Sequence, residues 1–258
     1  MFRRIWRAVG RVKYRAKNMF REWLRGREVQ FHYNLQLIEP IVRTAYYNAK
    51  PFGFKTRCML TERVVEYPLT FQTLPSKAVT ILDIGSGSSP LPYHLACLGH
   101  TVHAVDILPY PLHHPNIVEV RCDAMRLPYG EKTFRYVTAI SSLEHFGLGG
   151  YGDPVEENAP FRARDEISRV LRRDGVLITS LPVGKETRPQ RSREVNYQVF
   201  TSSLVSRFTK GFAVTTQRFY QHVDHNWTPC AASDAFSRDS YSQGVMAIVF
   251  LVMQKKST

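Results

Sequence analysis

The sequence lacks what would place it in a membrane or in a disulfide scaffold. It has no run of about 18 apolar residues, the length that a hydrocarbon core demands. Its longest apolar stretches, such as Val245–Met253, have the length of a strand. There are only four cysteines, Cys58, Cys97, Cys122 and Cys230, with neither a C-x-x-C pair nor a metal-ligand spacing. They read as reduced thiols of a cytosolic protein, which argues against disulfides. No serine precedes Ser76. The Arg-rich amphipathic N-terminal stretch fits a mitochondrial presequence in charge but not in serine, which such segments usually carry, and the lack of an uninterrupted apolar core excludes a secretory signal. No internal repeat is visible.

Charge, by contrast, is abundant and unevenly placed. Residues 1–30 hold ten Lys and Arg against Glu22 and Glu28, so +8 of the net charge of +13 sits in one short segment. Within it Phe2, Ile5, Val9, Val12, Ala16, Met19 and Trp23 recur at alternating gaps of three and four, a helical stripe widened by Trp6, Phe20 and Leu24. Three readings fit. A basic amphipathic helix can lie on an anionic membrane surface, each cation adding about 1 kcal/mol. It can grip RNA phosphates, or pack on its own domain with a solvated basic face. An apolar stripe with two tryptophans exceeds what phosphate binding requires. The expectation is therefore an N-terminal helix over 1–30 on a catalytic domain over 31–258, cytoplasmic and peripheral at the inner face of a membrane through residues 1–28.

From Val79 the pattern becomes regular. Apolar strand-like runs at 79–85, 101–107, 117–123, 136–141 and 176–183 alternate with helical segments at 90–98 and 160–173. Two further strands are predicted at 212–221 and 244–254, after a short helix over 201–211. Upstream, a short helix is predicted at 35–49, and another at 60–72 that Pro68 interrupts or ends. Alternation of this kind means a mostly parallel sheet with right-handed crossovers and helices on both faces.

"ILDIGSGSSP", residues 81–90, carries the chemistry. A buried strand ends at Asp83 and turns through Gly85 and Gly87, but Pro90 stands where a dinucleotide fingerprint needs its third glycine. A carboxylate beside the turn opposes a pyrophosphate and favours a cation such as a sulfonium or an ammonium. Asp106 ends the second strand, 21 residues after Gly85, where it suits ribose hydroxyls. Asp123 ends the third, where it suits an adenine amine. Each acid alone would pass for a cap or a turn. Three in matching positions along one sheet edge point to a phosphate-free adenosine cofactor, S-adenosyl-L-methionine.

Over residues 60–253 the chain resembles the class I S-adenosylmethionine-dependent methyltransferases, with a Rossmann-like sheet of seven strands, the last antiparallel. "ILDIGSGSS", "VHAVD", "CDAMRLPY", "VTAISSLEHFG" and "ISRVLRRDGVLITSLPVG" are similar to that family's successive motifs. The resemblance implies that Asp83, Gly85, Ser86, Gly87 and Ser88 hold the methionine portion. It implies Asp106 at the ribose, Ile107 beside it in the cofactor site, Asp123 and Ala124 at the adenine, and Ser141 at the reaction edge. Ser88 and Ser89 depart from the pattern, since another glycine is frequent there. "ERVVEYP", "EHFGLGGYGDP" and "NWTP" are similar to a group linked with sugar and polysaccharide gene clusters, which implies a saccharide or other small-molecule acceptor and O-methylation.

Methyl transfer needs alignment and, for a hydroxyl, a base. His145 and Glu144, just past the fourth strand, are the candidates, with ordinary packing as the alternative for the histidine. Glu62, Glu66 and Tyr67 precede the first strand and can reach the methionine end, or lie on a helix with exposed acids. "GLGGYGDP" (147–154) fits a close backbone approach, a lid or a plain loop. "QHVDHNWTP" (221–229) fits an acceptor wall or a loop; its H-x-D-H spacing matches no strong metal signature, and no metal is expected. Two other functions stay open: an RNA methyltransferase using the basic segment, and a non-catalytic adaptor with a vestigial fold.

Overall fold

The computed structural model describes residues 61–256 except positions 88, 186–196, 225 and 241–243. The N-terminal amphipathic helix, the helix predicted at 35–49, the membrane contact through 1–28 and Ser88 lie outside these residues.

The described elements are α1 (Arg63–Thr73), β1 (Thr80–Ile84), α2 (Leu91–Cys97), β2 (Thr101–Asp106), β3 (Ile117–Arg121) and β4 (Phe134–Ala139). A 3₁₀ turn (Leu143–His145), α3 (Ala159–Val170), β5 (Leu171–Pro182), α4 (Ser202–Thr209), β6 (Phe212–Val223), β7 (Asn226–Cys230), α5 (Ala232–Ser237) and β8 (Ala247–Lys255) follow. They build one sheet in the order β3-β2-β1-β4-β5-β8-β6-β7. Strands β1 to β5 pair in parallel, and β8 runs antiparallel between β5 and β6.

The apolar runs end up buried on both sides because successive residues face opposite ways. Ile81, Val102, Ile178, Phe250 and Val252 pack under α1 and α2, with Leu69, Leu91 and Leu95. Leu82, Ile84, Val105, Val137, Leu177 and Val249 pack on the other face against Phe161 and Ile167 of α3 and Val205 and Phe208 of α4. Thr201 caps α4 by accepting from the Leu204 amide at 3.4 Å.

Three details differ from expectation. The sheet has eight strands among the described residues, not seven, because part of "QHVDHNWTP" forms β7. It pairs antiparallel with β6 across a two-residue connection, Val223 opposite Asn226, and Asp224 there takes φ +46°. Pro229 argues against a strand, yet β7 is the outermost strand, where a missing donor costs no ladder bond. Next, α1 continues through Pro68 to Thr73; the carbonyl four residues back belongs to the exposed Val64. Finally, β5 begins at Leu171, and Asp174–Gly175 falls in a pairing irregularity rather than before the strand.

The strand order reverses between β1 and β4, whose carboxyl ends lie at one edge of the sheet. In open α/β sheets that reversal is where ligands bind.

Candidate active site

The turn after β1 is locked in place by its own strand. Asp83 is 3% exposed; its two carboxylate oxygens accept from Thr138 Oγ1 at 2.5 Å and Ser86 Oγ at 2.9 Å. Burial raises its pKa to about 6, against the pull of those two hydroxyls. Asp83 therefore ties β1 to β4 and closes the turn instead of standing open on the rim. Gly85 has φ +72°, and a Cβ there would lie 2.5 Å from Ser142 Cβ. The glycine is needed both for its backbone conformation and for the close approach of the turn to the end of β4.

Asp106 faces that turn. One carboxylate oxygen accepts from the Gly87 amide at 2.8 Å and the other from the Leu108 amide at 2.8 Å. Each oxygen keeps a lone pair for a ligand hydroxyl. Ile107 follows directly, and its carbonyl accepts from Arg121 at 3.5 Å. At the end of β3, Asp123 accepts from the Met125 amide at 2.8 Å, and Ala124 beside it is buried.

Ser89, where glycine is frequent in the motif, has a structural task. Its hydroxyl bonds Tyr67 Oη at 2.9 Å and accepts from the Leu91 amide at 3.2 Å, while its carbonyl accepts from Tyr110 Oη at 2.9 Å. The turn is thereby fastened to α1 and to the loop after β2.

Past β4 the chain opens a cavity of about 250 Å³. Ser141, Glu144, His145, Glu62, His222 and Trp227 are among its lining residues. Ser141 has φ +46°; its amide bonds Ser180 Oγ at 3.0 Å and its hydroxyl lies 2.9 and 3.0 Å from the two oxygens of Glu66. Glu144 is buried, desolvation pushes its pKa up to about 8, and its Oε2 has no hydrogen-bond partner among the described residues. Glu144 Oε1 stands 3.9 Å from His145 Nε2. The His145 ring is about a quarter exposed and packs edge-on against Tyr151 at 5.6 Å.

The glycine-rich loop after His145 is tied down. Asp153 accepts from the Gly147 amide at 2.8 Å and the Tyr151 amide at 3.2 Å, and a Cβ on Gly147 would lie 2.1 Å from the Glu156 carbonyl oxygen. Trp227 reaches the cavity because β7 pairs it with His222, their rings 5.4 Å apart. Among the described residues no cluster of His, Cys, Asp and Glu fits a metal ion.

The family model for a methyltransferase domain matches residues 82–179, the stretch from β1 to β5 that carries this turn and all three aspartates. Over residues 82–179 this chain carries a methyltransferase domain.

Solved structures share the fold of the domain. A SAM-dependent methyltransferase from Methanosarcina mazei aligns with a TM-score of 0.54 at 15% identity, covering 74% of this chain and 99% of that one. A Burkholderia thailandensis 1,6-didemethyltoxoflavin-N1-methyltransferase with bound 1,6-didemethyltoxoflavin and S-adenosylhomocysteine aligns at 0.50 with 16% identity over 90% and 92% of the two chains. The [4+2]-cyclase SpnF aligns at 0.53 with 15% identity over 87% and 94%. No curated protein matches the sequence. The same fold thus hosts different chemistries, and the acceptor of this methyltransferase domain has to be argued from its own residues.

Sequence reasoning left two of them unplaced. Glu66, read either as reaching the methionine end or as an exposed helix acid, is fully buried, and its contact with Ser141 carried no signal in the sequence. The i, i+4 column Glu62, Glu66, Thr70 on the side of α1 that carries buried Leu69 was the available signal for that burial. Tyr197 of the cavity wall had no signal; it arrives from a distant loop and its hydroxyl donates to the Ser240 carbonyl.

Proposed function

We propose that the domain transfers the methyl group of S-adenosylmethionine to a hydroxyl of a saccharide or similar small polar acceptor held in the cavity beyond β4. The observation that carries this reading is the cavity wall itself. It joins a carboxyl with an unpaired buried oxygen (Glu144), an accessible imidazole (His145) and an aromatic face (Trp227) at the carboxyl edge of the sheet. Carboxyl and imidazole groups suit hydroxyls, and an indole face suits the apolar face of a sugar ring.

The residues at the turn fit the cofactor. Gly85 and Gly87 keep the turn clear of side chains, and Asp106 presents both oxygens beside it. In this reading Gly85, Ser86, Gly87 and Ser88 hold the methionine portion, with Asp83 acting through the turn. Asp106 and Ile107 hold the ribose, Asp123 and Ala124 the adenine, and Ser141 the edge next to the acceptor. The bound cofactor supplies an electrophilic methyl group on sulfur.

The chain's own residues align the acceptor and remove its proton. His145 accepts the hydroxyl proton at a ring nitrogen. The imidazolium formed then lies within ion-pair distance of Glu144 Oε1, at 3.9 Å. Developing positive charge on His145 favours ionisation of Glu144, whose carboxyl burial otherwise keeps protonated. The proposal also includes attachment to an anionic membrane face through residues 1–28, supported by their sequence pattern. No helix among the described residues is long and apolar enough to cross a membrane.

The test is a methyl-transfer screen with labelled cofactor against saccharide, lipid and RNA fractions. Label in an O-methylated saccharide supports the proposal. Label confined to RNA, or cofactor binding with no transfer to any fraction, contradicts it.

A further inference from the structure

Glu66 is a fully buried carboxyl group that the reaction just described does not use. It projects from α1 to the end of β4, 75 residues away in sequence. The single Ser141 hydroxyl lies 2.9 Å from one of its oxygens and 3.0 Å from the other. A hydroxyl carries one hydrogen and cannot donate fully to both. A carboxylic O–H on the second oxygen, donating back to Ser141 Oγ, accounts for the second contact. Among the described residues Glu66 forms no ion pair; the nearby Arg63, whose charge acts against the upward shift of Glu66, pairs with Glu62 at 3.1 Å. A buried carboxylate without a cation is costly, whereas a buried carboxylic acid with two hydroxyl partners is not.

We propose that Glu66 is a positioning residue, an uncharged carboxyl that clamps Ser141 in its left-handed conformation on the wall shared by the cofactor site and the cavity. Ser141 at φ +46° is held against its backbone preference by two anchors, its amide on Ser180 and its hydroxyl on Glu66. Removing the carboxyl frees one anchor at the edge where cofactor and acceptor meet. Ionising it places a negative charge behind Ser141 and turns a donor into an acceptor. Burial and the Glu62 charge raise its pKa, which favours the neutral form. The groups that face it are Glu62, Arg63 and Tyr67 from the same segment, Ser141 from the end of β4 and Ser180 from β5. Glu144 titrates nearby in the same range and is the needed control.

The inference rests on the cofactor reading and is tested on the full chain with S-adenosylhomocysteine as the calorimetric probe, from pH 6 to 9.5. Wild-type affinity is expected to fall above about pH 8. Glu66→Gln keeps affinity at pH 7 and abolishes that fall, because the amide still donates and no longer titrates. Glu66→Ala binds more than about tenfold more weakly at pH 7, about 1.4 kcal/mol. Glu144→Gln retains the alkaline fall. If Glu66→Ala fails to fold, the pH profile of Glu66→Gln decides alone. The proposal is overturned if Glu66→Gln binds as weakly as Glu66→Ala, or if its alkaline fall persists. Wild-type protein that binds no probe at pH 7 overturns the cofactor reading as well, a failure distinct from any behaviour of the variants.

Discussion

Two buried carboxyl groups flank the end of β4, and they are treated in opposite ways. Asp83, on the cofactor side, has each oxygen engaged by a hydroxyl, from Thr138 and Ser86. Glu144, on the cavity side, keeps one oxygen unpaired among the described residues, next to an imidazole. A satisfied buried group organises the backbone around it, whereas a buried group left unsatisfied is held in readiness at an energetic cost. In the proposed function, the difference separates a cofactor half that is finished before any ligand arrives from a half that an acceptor completes.

The largest effect is expected at His145. In the reaction proposed here, His145→Ala lowers kcat/KM by about a hundredfold or more while the melting temperature changes little. Unchanged methyl transfer would remove it as the base. Asp83→Ala should act in the reverse sense. It removes the carboxylate acceptor of the Thr138 hydroxyl and leaves Ser86 Oγ only the residue-83 carbonyl, 3.2 Å away; the expected loss is about 1–3 kcal/mol, read as a lower midpoint in denaturant, with cofactor affinity lost alongside. A variant as stable as wild type would show that the turn does not depend on it.

Stability against pH sharpens the contrast next. Burial raises the carboxyl pKa of Glu66 and Glu144 from an ordinary 4.5 to about 8. The native state therefore holds protons that the unfolded chain has released. The stability they contribute is fully present below about pH 4.5 and lost as pH rises through about 8. Thermal melts should shift downward between pH 6 and pH 9, and Glu144→Gln should flatten part of that decline. A melting temperature that rises over this interval contradicts the assignment. The smallest effect belongs to Trp227. Trp227→Ala should raise the acceptor KM severalfold to about tenfold with little change in kcat, and leave cofactor binding as it was.

The proposed cofactor half was far more legible in the sequence than the proposed acceptor half, for a physical reason. Its acids end consecutive strands, so Asp83, Asp106 and Asp123 are placed by strand periodicity and short turns alone. The glycine turn states its own backbone requirement. The cavity is assembled from segments far apart in the chain. Glu66 is buried because Ser141 meets it across the fold, and Trp227 faces the cavity because β7 pairs with β6. Pro229 concealed that strand, since a proline is tolerated only where a strand lies at the sheet edge. Pro68 likewise suggested the end of a helix whose packing carries it on to Thr73.

The central claim is that the edge where β1 and β4 diverge receives an adenosine cofactor that has no phosphate. Calorimetry of the full chain with S-adenosylhomocysteine and with a nicotinamide dinucleotide, repeated on Asp106→Ala, addresses it most directly. The account predicts binding of the first compound only, weakened more than about tenfold by the substitution, about 1.4 kcal/mol. Tight dinucleotide binding without any S-adenosylhomocysteine binding, or an affinity indifferent to Asp106, would contradict it.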